Sequence, residues 1–169
     1  MAYRIRPATL IDLPWIRRLQ EQHIAEMDVP YPRFESQDLD EFVRGVALLL
    51  PHQERFTLFV AEIGRAIVGM MGVTIDERGV GTPTRYAVWD LLYVVPRHRQ
   101  RGVAALLMQA AQEWTSARAT HIELSALDDM LEYWVVRGFR PLVTRLWVAT
   151  SDLRLHAPRA QKRLRAAGE

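Results

Sequence analysis

Four basic or potentially basic side chains lie within five positions of one another: Arg97, His98, Arg99 and Arg101. Gly102 follows them, and an alanine-rich segment of helical period begins at Val103. A helix N-terminus leaves about four backbone N–H groups unpaired and has roughly half a positive charge, so nearby arginines destabilise it. A bound anion offsets that charge. The pattern therefore predicts a diphosphate held by N–H groups and guanidinium groups, with a solvated basic loop as the alternative.

The composition is that of a soluble globular protein and excludes several kinds of site. The 169 residues suit one domain, and 22 Lys+Arg against 20 Asp+Glu give a net charge of +2, too small to argue for nucleic acid. Without cysteine there are no disulfides, thiolate metal ligands or cysteine nucleophiles, and the five histidines lack metal-ligand spacing. Apolar runs fall short of the ~20 residues of a membrane span. We expect a cytoplasmic protein without signal peptide or metal.

Apolar periodicity predicts a mixed α/β order. The predicted elements are a strand over Tyr3–Pro7, a helix capped by Asp12, a helix behind Asp38 and Glu41, a hairpin of Phe56–Ile63 and Ala66–Ile75, a strand over Arg85–Val95, a helix from Val103, a strand over His121–Ala126, a helix from Asp128 or Asp129 through Val136, and a strand or strand pair over Pro141–Thr150. We predict one domain over residues 1–150. The basic tail, residues 151–169, is either separate from this domain or part of it.

The basic segment resembles motif A of the GNAT superfamily of N-acyltransferases. That motif is written Q/R-x-x-G-x-G/A, and residues 99–104 read RQRGVA. The flanking LLYVVPRHRQRG and ALLMQAAQEW look like the family's strand, turn and helix, and HIELSALDDMLEYWVVRGF is similar to its motif B. The opening YRIRPATLIDL also has the family's character, so the resemblance covers most of the chain. It implies an α/β (α+β) fold with a mostly antiparallel sheet of six to seven strands, helices on both faces, and splayed fourth and fifth strands.

The resemblance also implies a function and a set of binding residues. The family binds acyl-coenzyme A between the splayed strands, so we expect an N-acetyltransferase that uses acetyl-CoA and whose primary amine attacks directly in a ternary complex. Main-chain groups of Leu92 and Val94 would pair with the pantetheine arm, and an N–H near Leu92 or Tyr93 would polarise the thioester carbonyl. The residues implied around the pyrophosphate are Arg99, Gln100, Arg101, Gly102, Val103 and Ala104.

The catalytic residues are less sharply indicated. A lysine-like amine with a pKa of about 10.4 must lose a proton before it attacks, and Asp90 or Glu123 would be the base by resemblance. Many members protonate the leaving thiolate with a tyrosine four residues before the motif B glycine, but this chain has Trp134 there. Tyr133 is then the candidate acid, with water as the alternative.

The acceptor and the partners stay open at this stage. Acids and aromatics between Glu21 and Glu41 suit a cationic amine, either a small molecule or a peptide, although solvated acids would look the same. A homodimer is possible within the family, nucleic acid is a distant alternative that rests on the basic loop and tail, and no membrane is expected. The substitution at Trp134 favours a second reading, a catalytically silent acyl-CoA-binding sensor or scaffold.

Overall fold

The computed structural model describes residues 2–26, 38–126 and 130–140. The helices and strands in these ranges are β1 (Arg4–Pro7), α1 (Leu13–Glu26), α2 (Leu39–Leu49), β2 (Phe56–Ile63), β3 (Ala66–Arg78), β4 (Thr84–Val94), α3 (Val103–Ser116), β5 (Ile122–Leu124) and α4 (Leu131–Val135). The chain divides into two compact units, Met1–Ser125 and Ala126–Glu169, and α4 belongs to the second. The strand or strand pair predicted over Pro141–Thr150 and the basic tail lie outside the described residues. The predicted domain boundary therefore stays a prediction.

The first unit is built on a mixed sheet. Its strands follow the order β1-β2-β3-β4-β5, and every neighbouring pair is antiparallel except β4 and β5, which are parallel. A tight turn with Gly64 at φ +63° joins β2 to β3, whereas the parallel pair needs a crossover, which α3 supplies. The predicted mostly antiparallel α/β sheet is confirmed, with five strands in the described part of the chain.

Helices cover both faces of this sheet. Met70 packs in a buried cluster with Ile16 and Leu19 of α1. A Cβ added to the preceding residue, Gly69, would instead meet Leu107 of α3 at 3.3 Å. Successive residues of a strand point to opposite faces, so α1 lies on one face and α3 on the other. The predicted two-sided arrangement is thereby confirmed.

The apolar core forms because both helices direct an apolar stripe at the sheet. On the α1 face the buried cluster comprises Ala8, Ile16, Leu19, Val46, Leu50, Phe56, Leu58, Val60, Ile67, Met70 and Tyr93. On the α3 face Val103, Leu107 and Ala111 recur at helical spacing and are 0–1% exposed. These two layers fix the position of β4, which lies between them.

Some local predictions are wrong. The sequence predicts that Asp12 caps α1, but its carboxylate bonds back to Thr9 N at 2.8 Å and forms a bidentate pair with Arg6 at 2.7 and 2.8 Å. A 3₁₀ turn over Leu10–Asp12 therefore precedes α1. Strand β3 continues to Arg78, three residues beyond the predicted end, because the polar residues there still pair with β4.

Candidate functional site

A β-bulge interrupts β4 next to the site. Between the paired residues Asp90 and Tyr93, β4 has two residues where β3 has one. The first of them, Leu91, has φ +56°, and its N–H donates to Asp90 Oδ1 at 2.7 Å. In a regular strand, residues three apart point to opposite faces, but the extra residue turns Asp90 and Tyr93 to the same face. That face is covered by α1, because Tyr93 belongs to the cluster with Ile16 and Leu19.

The ladder between β4 and β5 is short. Its described partners end at Trp89 with Leu124, so β4 from Asp90 to Val94 has no β5 partner within the described residues. The predicted splay of the fourth and fifth strands agrees with this register. Among the described residues the edge of β4 beyond Trp89 is therefore unpaired, the kind of edge to which an extended segment can add.

The start of α3 presents backbone N–H groups without acceptors. After a 3₁₀ turn over Pro96–His98, Gln100 and Gly102 have φ of +58° and +81°, and α3 begins at the next residue. In the described part of the chain, the N–H groups of residues 100–105 donate to no acceptor. The first satisfied donor is Leu106 N, which bonds to Gly102 O at 3.0 Å. Left-handed residues within such a turn produce the concave arrangement of N–H groups that binds anions.

The arginines of this loop do not act alike. Arg99 turns back on the protein: its Nε donates to Val94 O at 2.8 Å, and its guanidinium pairs with Glu26 and lies 5.5 Å from the Tyr93 ring centre. The predicted contact of Arg99 with pyrophosphate therefore competes with internal partners. Arg101, by contrast, is exposed.

A cavity of about 440 Å³ adjoins the loop. Its lining combines apolar side chains of β2 and β3 with three basic groups, as follows: Ile63, Ala66, Val68, Arg97, His98 and Arg101. His98 is fixed there, because its Nδ1 lies 3.0 Å from Tyr3 Oη and its Nε2 3.2 Å from Arg97 Nε. Apolar walls with guanidinium groups at the rim suit an organic ligand that carries phosphate.

Glu26 connects α1 to this end of β4. Its carboxylate accepts a hydrogen bond from Tyr93 Oη at 2.6 Å and pairs with Arg99. Burial and then the Glu26 hydrogen bond raise the pKa of Tyr93 to about 12. The same hydrogen bond, followed by Arg99, lowers the pKa of Glu26. The helix, the strand and the loop are thus joined by one charged network.

The model of the acetyltransferase (GNAT) family matches residues 16–139, which is most of the chain. The chain belongs to this family. No curated protein matches the sequence.

Solved GNAT structures share the fold. A GCN5-related N-acetyltransferase from Ralstonia eutropha is 21% identical with TM-score 0.74, and covers 88% of this chain and 99% of its own. A predicted acetyltransferase with acetyl-CoA from Clostridium acetobutylicum is 14% identical with TM-score 0.75, and the match covers 88% of this chain and 96% of that protein. The aminoglycoside 6'-N-acetyltransferase from Acinetobacter haemolyticus is 20% identical with TM-score 0.66, and the match covers 87% of this chain and 97% of that protein.

The two candidate bases of this GNAT chain differ in their surroundings. Asp90 is exposed on the α1 face, and its Oδ1 accepts only the adjacent Leu91 N–H among the described residues. Glu123 is 9% exposed, and Arg78 holds both of its oxygens at 2.9 and 3.3 Å. Because Glu123 pairs with Val88, it lies on the same face as Asp90. The ion pair therefore occupies both oxygens of Glu123, whereas Asp90 is exposed, and the role of each carboxylate as base stays a prediction.

Tyr133 and Trp134 belong to the second unit. Arg137 lies 3.4 Å over the Tyr133 ring, and its NH1 donates to Tyr133 O at 2.7 Å. Trp134 packs edge-on against Tyr133 and Phe139, with ring centres 5.1 and 5.3 Å away. Tyr133 as the proton donor stays a prediction.

Sequence reasoning missed two residues of the site. It gave His23 no role and counted Glu26 only as one of the acids between Glu21 and Glu41, whereas both contact Tyr93 in the structure. The signal was their spacing: both continue the sheet-facing positions of Ile16 and Leu19 at three- and four-residue steps. Four of the nine acidic and aromatic residues predicted to form the acceptor wall lie outside the described residues, namely Asp28, Tyr31, Phe34 and Glu35.

Among residues 2–26, 38–126 and 130–140, no three His, Asp or Glu side chains come together as a metal site. Within the same ranges, every helix is too short or too polar to cross a bilayer.

Proposed function

We propose that this chain transfers an acetyl group from acetyl-CoA to a primary amine, by direct attack of the amine in a ternary complex. The observation that supports this most comes from the described part of the chain, where the N–H groups of residues 100–105 are unpaired and the adjacent β4 edge has no β5 partner beyond Trp89. A diphosphate fits the first feature and an extended amide-bearing arm fits the second.

The coenzyme is held mainly by main-chain groups. The N–H groups of Gln100–Ala104 bind the pyrophosphate, and Arg101 adds charge at the rim. Arg99 acts indirectly: it holds the loop against Val94 O and Glu26, which keeps the N–H groups convergent. The main-chain groups of Leu92 and Val94 pair with the pantetheine arm, which lies extended along β4.

The bulge orients the thioester. The ladder to β3 is irregular at Leu91–Leu92, so a main-chain N–H near Leu92 or Tyr93 turns toward the thioester oxygen. Such a donor stabilises the negative charge that develops on the oxygen during attack, an effect of about 3–4 kcal/mol where single donors have been removed.

Proton transfers complete the reaction. The amine nitrogen forms the new C–N bond and loses a proton to a base on the α1 face, for which Asp90 is the carboxylate candidate and Glu123 the second. The C–S bond then breaks, and the thiolate takes a proton from Tyr133 or from water.

A panel of amines tests the activity. Purified protein, acetyl-CoA and each amine are combined, and free thiol release is followed against a blank without protein. Because two similar structures are amino-sugar acetyltransferases, the panel includes glucosamine 6-phosphate and an aminoglycoside beside a polyamine, lysine and a peptide N-terminus. Amine-dependent thiol release supports the proposal, and its absence with every amine contradicts it.

A silent acyl-CoA-binding module is the second candidate, favoured by Trp134 at the position of the family's usual tyrosine acid. Calorimetric binding of acetyl-CoA without turnover on any amine would establish this alternative. No binding of coenzyme A at all would exclude both.

A further inference from the structure

His23 is a half-buried histidine on α1 that makes no hydrogen bond within the described residues. Its Nδ1 is enclosed, with neither a donor nor an acceptor in reach among them. A buried polar atom without a partner destabilises the folded state, so such an atom calls for an explanation.

The ring lies over the site rather than in the middle of the core. It is 5.3 Å from the Tyr93 ring, at a tilt of 32°. Tyr93 and Asp90 reach the same face of the sheet through the β4 bulge, next to the main chain assigned to the thioester. An amine that reaches β4 beside α1, where Asp90 is exposed, therefore comes close to His23.

The charged groups around His23 are Asp90 from β4, Glu26 from α1 and Arg99 from the basic loop. Burial is the largest influence and holds the pKa of His23 below its usual value of about 6.5, while the two carboxylates act in the opposite direction and Arg99 adds to the lowering. The imidazole is thus neutral at pH 7 and able to accept a proton.

We propose that His23 is the catalytic base that takes the proton from the acceptor amine, with Asp90 stabilising the imidazolium that results. This inference rests on the proposed acetyltransfer. The amine nitrogen bonds to the acetyl carbon, one N–H proton passes to Nε2 of His23, and the coenzyme leaves with the C–S electron pair. The imidazolium returns the proton to water, and the thiolate is protonated separately.

The test compares wild type with His23→Gln and with a matched control, His52→Gln, an exposed histidine outside the site. We expect His23→Gln to lower kcat/KM by about 10²-fold or more with an unchanged Kd for coenzyme A, and His52→Gln to behave as wild type. Circular dichroism and thermal melting of each variant establish that it is folded.

The pH profile separates a base from a structural residue. For wild type, the slope of log kcat/KM against pH should be about two below the pKa of His23, where both base and amine titrate, and about one above it. His23→Gln should give a slope of about one throughout. Added imidazole should restore part of the rate of His23→Ala, since it can occupy the space of the lost ring.

The outcomes are distinguishable. The role of His23 alone would be overturned if His23→Gln keeps the wild-type rate and pH profile. It would also be overturned if added imidazole fails to restore activity to His23→Ala. A wild-type protein that acetylates no amine would overturn the proposed function as well.

Discussion

Glu26 accepts hydrogen bonds from two groups at the C-terminal end of β4, the Tyr93 hydroxyl and the Arg99 guanidinium. It lies at the last position of α1, so it ties the end of that helix to the basic loop. The loop has two residues of positive φ, Gln100 and Gly102, and only one of them is glycine. Such backbone persists only when neighbouring contacts hold it, and the Glu26–Arg99 pair is one of those contacts.

The pKa of Tyr93 tests this network. In Glu26→Gln we expect it to fall from about 12, because the nearby negative charge is gone, yet to stay above 10 because burial remains. An NMR titration with ring-labelled tyrosine measures it, and Glu21→Gln, an exposed position of the same helix, is the control. An unchanged Tyr93 pKa in Glu26→Gln would contradict the contact.

Gly102 tests the anion site. A glutamate there brings a negative charge and a side chain to the N–H row, so Gly102→Glu should abolish calorimetric binding of coenzyme A. Gly81→Glu is the matched control, since Gly81 also has positive φ and open space around it but lies in the β3–β4 loop. Equal affinity in the two variants would mean that the diphosphate binds elsewhere.

Substitution by alanine distinguishes the roles of the two carboxylates, Asp90 and Glu123. Asp90→Ala should slow turnover without loss of stability, because the side chain is exposed. Glu123→Ala should lower the melting temperature, because it removes a carboxylate that is only 9% exposed and that accepts two hydrogen bonds from Arg78. The turnover rate and thermal melting of both variants check this. A stable but inactive Glu123→Ala would show that Glu123, and not Asp90, is the carboxylate that turnover requires.

At the scale of elements, β1 is joined to the start of α1 by a buried ion pair. Arg6 forms a bidentate pair with Asp12 and a further bond to Glu62 of β2 at 2.7 Å. The Arg6 hydrogen bond is the main reason that the pKa of Asp12 falls from 3.8 to about 2. The chain therefore enters α1 at a fixed position, and His23 and Glu26 are placed from there.

This ion pair predicts a pH dependence of stability. A carboxylate whose folded pKa is depressed stabilises the fold above its unfolded pKa, and the contribution disappears as pH falls through about 4 to 2. We expect Asp12→Asn to lower the free energy of unfolding by about 2 kcal/mol at pH 7, with the difference vanishing near pH 2. Urea unfolding across pH measures it. Asp40→Asn, which breaks an exposed pair with Arg17, should have a much smaller effect.

Element order was accessible from the sequence because periodicity and turn residues report directly on helices and strands. The hairpin with Gly64 and the α3 stripe of Val103, Leu107 and Ala111 are examples. The β4 bulge was not accessible, because Leu91 is an ordinary strand residue and its positive φ arises from the pairing with β3. Nor was the inward turn of Arg99, whose partner Glu26 is 73 positions away in the sequence.

At the scale of the molecule, 22 Lys+Arg against 20 Asp+Glu leave a net charge of only +2, so long-range attraction of an anion is weak and the ligand must be held by local contacts. A ligand that binds only the folded state raises stability by about 2.7 kcal/mol at a hundred times its Kd. For a chain of this size we expect coenzyme A at that concentration to raise Tm by about 5–10 °C. Scanning calorimetry measures the shift, and Gly102→Glu should show none.

The extra residue in β4 has a consequence for how this protein can change over evolution. Side-chain replacements at Leu91 or Leu92 leave the count of residues intact, whereas loss of either one restores regular alternation. Asp90 would then be carried to the layer occupied by α3, away from His23. Insertions and deletions between Asp90 and Tyr93 should therefore be selected against far more strongly than substitutions, because the number of residues there must be kept.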